Sequence, residues 1–146
     1  MRIFLDSSVL LSFCQSKKGA SALVIDYVRS GKLKGYISKK VVFEVENNNV
    51  KDTNEVGKQR FAALLKLGVL KIVEEASQEQ IKKAHNAFNN IKDEPIIAAA
   101  KQATNLQFIL SLDNGFFKDA VRDYVKPLEI LKPGEFVNRF REELEK

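Results

Sequence analysis

The chain has 146 residues, 45% of them hydrophobic and 29% charged, with one cysteine and a formal charge of +5. That length and composition fit one ordinary globular domain with a real core, and exclude a disordered or fibrous chain. One cysteine rules out an internal disulfide framework, no apolar run nears the roughly 20 residues that cross a bilayer, and an excess of 24 basic over 19 acidic residues points only mildly to a polyanionic partner.

The elements follow in chain order. Residues 2–5 read as a strand that starts without a leader pattern, so a cytoplasmic protein is expected. Helix-like stretches at 8–14 and 20–29 are separated near Gly19. A strand at 35–37 leads to a helix over 38–47 with Ser38 as N-cap. Residues 47–52 are a polar loop by composition. A helix over 54–67 stops at Gly68, a favourable carboxyl-terminal signal, and a strand follows at 69–73. Ser77 with Gln80 reads as a capping box opening a helix to about residue 89. Pro95 starts another helix, since proline suits the first turn. A strand at 107–111, a short helix near 116–124, a strand at 128–131 and a helix after Pro133-Gly134 complete the set. Strands alternating with helices imply a parallel sheet with right-handed crossovers. No repeat, low-complexity tract or linker divides the chain.

Acids recur at the ends of these strands. Asp6 closes the run Arg2-Ile3-Phe4-Leu5, and Asp113 follows Phe108-Ile109-Leu110-Ser111-Leu112. In open parallel sheets, ligands bind beyond the carboxyl ends of strands, near the point where strand order reverses. A carboxylate there is poorly placed for packing and well placed for a cation. The turn chemistry of Asp113-Asn114-Gly115 is the ordinary explanation for Asp113. On the helix after the second strand, Val41, Val42 and Val45 form an apolar stripe. Glu44 borders that stripe, whereas Glu46 points to the other side. In Lys92-Asp93-Glu94-Pro95-Ile96-Ile97, proline disfavours helical backbone in the residue before it, so Glu94 is the expected N-cap. Acids also suit a helix amino terminus on electrostatic grounds. Asp93 and Glu94 compete for a place beside the strand ends.

Four segments, in this order, resemble the PIN-domain nucleases, including the VapC-like toxins. They are Phe4-Leu5-Asp6-Ser7-Ser8-Val9-Leu10; Ile37-Ser38 leading to Glu44-Val45; Lys92 through Ala100; and Ile109 through Phe116. The resemblance covers nearly the whole chain. It implies an α/β fold, a three-layer α/β/α sandwich with a five-stranded parallel sheet, and metal-dependent cleavage of RNA. By position, Asp6, Glu44 and Asp113 match family acids. Asp93 fits forms of the third motif with proline two residues after the acid, and Glu94 fits forms with an apolar pair two and three residues on. Ser7 matches the small hydroxyl residue that holds the first carboxylate. Ser111 and Asn114 are further supporting residues, Asn114 as a partner for a metal-bound water. Many members carry another acid where this chain has Gly115, which leaves open whether one or two metals bind. The resemblance also implies an antitoxin that blocks the acidic pocket, and a homodimer to which the apolar face of helix 54–67 could contribute.

Crowded carboxylates need a cation or a proton. Hard oxygen donors select Mg2+ or Mn2+, and phosphodiester hydrolysis assisted by such an ion needs no protein nucleophile. The rest of the sequence agrees. His85, the one histidine, reads as part of a solvated helix face, and Cys14 as a small core residue. No nucleophile elbow, P-loop or dinucleotide fingerprint appears. Apart from the candidate acids the chain is distinctly basic. Lys17, Lys18, Lys39 and Lys40 are candidates for phosphate contact, with Lys39 and Lys40 favoured because they precede Glu44 on one helix. No aromatic-rich platform for single strands is evident. The expectation is an endoribonuclease. A catalytically weak PIN-like module that binds RNA or protein is the alternative. A receiver-like phosphoacceptor is a third reading, for which Lys126-Pro127 is a poor match.

Overall fold

The computed structural model describes residues 1–48 and 55–146. Its elements are β1 (Arg2–Leu5), α1 (Ser7–Gln15), α2 (Ala20–Arg29), β2 (Lys34–Ile37), α3 (Lys39–Glu46), α4 (Glu55–Lys66), β3 (Leu70–Ile72), α5 (Gln78–Phe88), α6 (Glu94–Gln102), β4 (Phe108–Leu110), a 3-10 turn (Asn114–Phe117), α7 (Asp119–Val125), β5 (Glu129–Leu131) and α8 (Pro133–Leu144). The strands form a parallel sheet in the order β3-β2-β1-β4-β5. Ile3, Phe4 and Leu5 of the central strand are fully buried, as an uninterrupted apolar run in a doubly covered sheet must be. One helical group, α1, α2, α4 and α8, packs together; α5, α6 and α7 form another. This is the expected three-layer α/β/α architecture.

The local signals act largely as read. Ser38 Oγ accepts from Val41 N at 3.2 Å and caps α3. Gly68 takes a left-handed φ of 70° just beyond α4. Two readings need correction. Ser77 Oγ accepts from Gln80 N, but the Ser77 amide donates to Gln102 Oε1 instead of to Gln80, whose own Oε1 is taken by Tyr124 Oη. The capping box is therefore half-formed, because better-placed tertiary partners took its other half. The helix expected near 116–124 is broken at Lys118, whose backbone is extended between the 3-10 turn and α7. Of the expected polar loop, residues 49–52 lie outside the described residues, as does Asn54 at the start of the helix expected over 54–67.

The topology creates one special place. β1 is flanked by β2 and β4, and chain order reverses between β1 and β4. Connections leaving these two carboxyl ends diverge, and a crevice opens between them. The position of α1, which starts at that crevice, is held from its other end by α4. Arg60 donates to Cys14 O and Ser16 O at 3.2 Å each, satisfying carbonyls at the end of α1. Its guanidinium also lies 4.7 Å from the Phe13 ring centroid. Phe61 and Leu64 of α4 are buried. The apolar face expected to serve a homodimer is thus spent inside the chain, and Val56 and Leu67 are the large apolar residues of this region left exposed.

Gly57 makes this close packing possible, since a Cβ there would stand 2.9 Å from the Cys14 carbonyl oxygen. Gly57→Ala gains about 1 kcal/mol of helix propensity but forces a clash against backbone costing about 1–3 kcal/mol. We expect a net loss of stability, read as a lower urea midpoint at unchanged slope. A raised midpoint would show that α4 can shift off α1 freely.

Candidate active site

A cavity of about 510 Å³ opens at the carboxyl ends of β1 and β4. Asp6, Glu44, Asp93 and Asp113 all line it, together with Ser7, Ser8, Lys40, Phe43 and Lys92. Each acid arrives by a different route. Asp6 is the residue at which β1 turns into α1, with extended backbone (φ −71°, ψ 157°). Glu44 rides on α3, whose Val41 and Val45 face the core. Residues 40, 43, 44 and 47 follow helical spacing and all face the cavity. Asp93 ends the turn before α6, and Asp113 opens the 3-10 turn after β4.

Hydroxyls hold the first acid. Asp6 Oδ2 accepts from Ser8 Oγ at 2.7 Å and from Ser111 Oγ at 2.8 Å. Ser7 Oγ donates to Glu44 Oε1 at 2.8 Å and lies 3.5 Å from Asp6 Oδ1, so a single hydroxyl links the two acids. Ser8 and Ser111 are themselves oriented: Ser8 Oγ accepts from Leu112 N, and Ser111 Oγ from Asp113 N. Asp113 Oδ1 accepts from Gly115 N at 2.9 Å, and Asp93 Oδ2 from Asn90 Nδ2 at 2.9 Å. A Cβ on Gly115 would lie 3.3 Å from Asp113 Oδ1 and 3.5 Å from Asp93 Oδ2, so these two acids crowd one point. A further acid at 115 would have to enter that crowd.

Electrostatics follow from this crowding. Burial pushes the Asp6 carboxyl above its ordinary range, against the lowering effect of the Ser8 and Ser111 hydroxyls. Asp93 is raised to about 6, first by burial, then by the negative charges of Asp113, Asp6 and Glu44, with Lys92 opposing. Asp93 therefore senses the other three acids. Among the described residues, however, no group of three or more acidic, histidine or cysteine side chains is set to hold an ion. The donors are all hard oxygens, which suits Mg2+ or Mn2+, and Mg2+ usually takes one or two carboxylates and keeps several waters. Donor chemistry and the raised Asp93 fit a hydrated divalent cation; a closed, dry cage does not fit.

The remaining candidates sort as follows. Glu94 is buried and pairs with His85, whose Nδ1 lies 3.0 Å from Oε2. It is the first helical residue of α6, with Asp93 at the N-cap position and Pro95 second in the helix, which corrects the expected Glu94 cap. Glu94 does not line the cavity. His85 is half-exposed, as expected, but its partner was not foreseen. Asn114 is exposed and outside the cavity lining; Ser111 is fully buried beneath Asp6. Lys40 lines the cavity and Lys39 does not. Lys17 and Lys18 come after the far end of α1, which carries them roughly 13 Å of helix away from Asp6. Sequence reasoning passed over Ser8, Asn90, Lys92 and Phe43. Ser8 and Lys92 sit inside the motifs, and the 40-43-44-47 spacing would have found Phe43. Nothing local marked Asn90.

Two measurements check this geometry. Ser111→Ala removes a donor to Asp6 and the acceptor of the Asp113 amide. We expect a loss of about 1–3 kcal/mol, read as a lower urea midpoint; an unchanged midpoint would mean the hydroxyl does not serve these groups. The raised pKa of Asp93 means that the folded state holds its proton more tightly than the unfolded chain. Its contribution to metal-free stability therefore falls as pH rises from about 4 to about 6. Asp93→Asn should stabilise the metal-free protein at pH 7 by about 1–3 kcal/mol, with no gain below pH 4, as read by thermal melts across pH. A destabilised variant at pH 7 would show that Asp93 is not under charge strain.

No curated protein matches the chain. A family model described as PIN domain matches residues 2–115, a span that contains all four cavity acids. Members of that family are generally nucleases that use divalent metals. With the match covering most of the sequence and the sheet order, switch point and acid cavity in place, the chain belongs to the PIN domain family.

Proposed function

We propose that this protein is an endoribonuclease that hydrolyses RNA phosphodiester bonds with Mg2+ or Mn2+. The observation that carries the reading is the convergence of Asp6, Glu44, Asp93 and Asp113 on one cavity at the switch point, with Asp93 raised to about 6 by burial first and then by its acidic neighbours. Asp6, Glu44, Asp93 and Asp113 would hold the ion, one or two of them directly and the rest through its waters; Glu94, turned to His85, does not line the cavity. When bound, the ion supplies charge neutralisation, orientation of the phosphate and a more acidic water. The chain's own groups do the rest. Ser8 and Ser111 aim Asp6 and oppose the upward pull of burial on its carboxyl, Ser7 ties Glu44 to Asp6, and Asn90 fixes Asp93. Lys40 and Lys92 at the rim offset the acids and meet phosphates of the strand. We further propose that the whole chain is one PIN domain, because β5 beyond the matched span completes the sheet and α8 packs on α2.

We also propose a toxin role, with an antitoxin seated over the acid cavity, and a cytoplasmic location, on the strength of the VapC-like resemblance. Among the described residues no helix is long and apolar enough to cross a membrane. A homodimer, which the resemblance implies, would have Val56 and Leu67 to use in this region, since Phe61 and Leu64 are buried within the chain. A second reading, a catalytically weak module that binds RNA, is favoured by Gly115 and by the lack of a ready three-ligand group.

RNA cleavage with Mn2+ separates the two. We expect cleavage by wild type, and a loss on the order of 100-fold or more in Asp6→Asn and in Asp113→Asn. RNA binding without cleavage by pure wild type would favour the binding module. Equal cleavage by all three proteins would remove the acids from the reaction.

A further inference from the structure

Phe43 stands out against the packing logic of α3. Val41 and Val45 on the same helix are buried, whereas Phe43 is 59% exposed. It lines the acid cavity one residue from Glu44. A phenyl ring left in water forgoes roughly 1.5–3 kcal/mol of burial, and the core does not need it there. Lys40, one turn earlier, holds its ammonium 5.3 Å from the ring centroid. The cavity mouth thus presents a flat apolar ring, the adjacent cation of Lys40, and Lys92 on the segment leading to Asp93.

We propose that Phe43 is a base-stacking residue that positions an unpaired nucleotide of the substrate beside the acid cavity. The inference rests on the nuclease reading. Stacking needs a free π-face, which an unpaired base offers and a base inside a duplex does not. Lys40 then leaves the ring for a neighbouring phosphate, so that base and backbone are gripped from one turn of helix. A protein anchor is the less fitting occupant. Lys40, Glu44 and Asn47 share its helix face, Leu11 is the one other apolar residue lining the cavity among the described residues, and the exposed apolar residues Val56, Leu67, Ile72, Ile91 and Leu112 do not line it.

The test is binding of a short single-stranded RNA to the full-length chain, by fluorescence anisotropy, with Ca2+ in place of the catalytic ion. The RNA is also made as a series with one abasic ribose at each position in turn. Phe43→Ala should weaken binding roughly 5- to 100-fold, and Phe43→Trp should restore it. One abasic position should weaken wild type by a similar factor and leave Phe43→Ala unaffected, because the same contact is already gone. Thermal melts of the variants check folding, and Trp rescue keeps the test valid if the alanine variant is less stable. Wild-type affinity in Phe43→Ala, or abasic losses that add to it, overturns the inference and leaves the nuclease reading standing. Unchanged RNA affinity with altered self-association in light scattering overturns it too, assigning the ring to a protein contact. Failure of wild type to bind or cleave any RNA overturns both.

Discussion

Repulsion among four carboxylates is the constraint around which this molecule is arranged. Asp6, Glu44, Asp93 and Asp113 share one cavity, and at neutral pH each would rather be ionised in water. Folding denies that water to Asp6 and Asp93, which are buried. Hydroxyl donors on Asp6 and the Asn90 amide on Asp93 recover part of the loss, yet Asp93 still sits near the pKa of a histidine. A protein keeps such a cost where function requires it. The burial of the β-strands and the fastening of α1 by Arg60 and Gly57 supply the stability that tolerates it.

The fold delivers the acids economically. A parallel sheet with its switch point between β1 and β4 needs only that each strand end in a polar residue for those residues to meet. Ser111 shows the consequence. It directly follows β4, donates to Asp6 beyond the neighbouring strand, and accepts from the amide of Asp113. Residues about a hundred positions apart thereby form one hydrogen-bonded unit. The start of α6 makes a different division. Asp93 and Glu94 are consecutive, yet one enters the cavity and the other runs to His85. Both amides bond to Asn90 O, so the turn at 90–93 decides which carboxylate goes where.

That division also marks where legibility in the sequence ended. The sheet, its helices and the placement of Asp6, Asp113 and Glu44 follow from apolar periodicity and strand-end position, which are local. The strands at 69–73 and 107–111 come out shorter in the ladder than in the apolar pattern, because Val73 and Ser111 bond to the ends of Ile37 and Leu131 without extending the paired register. The Asp93–Glu94 choice was closed to sequence reasoning. The proline rule points to Glu94 as the cap, but the preceding turn overrides it. His85 is nine residues from Glu94, and nothing in that spacing announces a pair. The exposure of Phe43 was legible in principle, since positions 40, 43, 44 and 47 share a face, but a stripe search that rewards apolar residues looks at the opposite side of α3.

The same charge pattern makes cation and nucleic acid depend on each other. A phosphodiester approaching four carboxylates is repelled, and Lys40 and Lys92 at the rim can compensate only in part at surface dielectric. On the proposed reading, a divalent cation turns the cavity floor from repulsive to attractive for phosphate. Phosphate in turn supplies oxygens that an ion held by few carboxylates lacks. Each ligand then strengthens the other by the same factor. An open set of acids is sensible under that coupling. A cage able to saturate the ion by itself would leave no coordination for substrate.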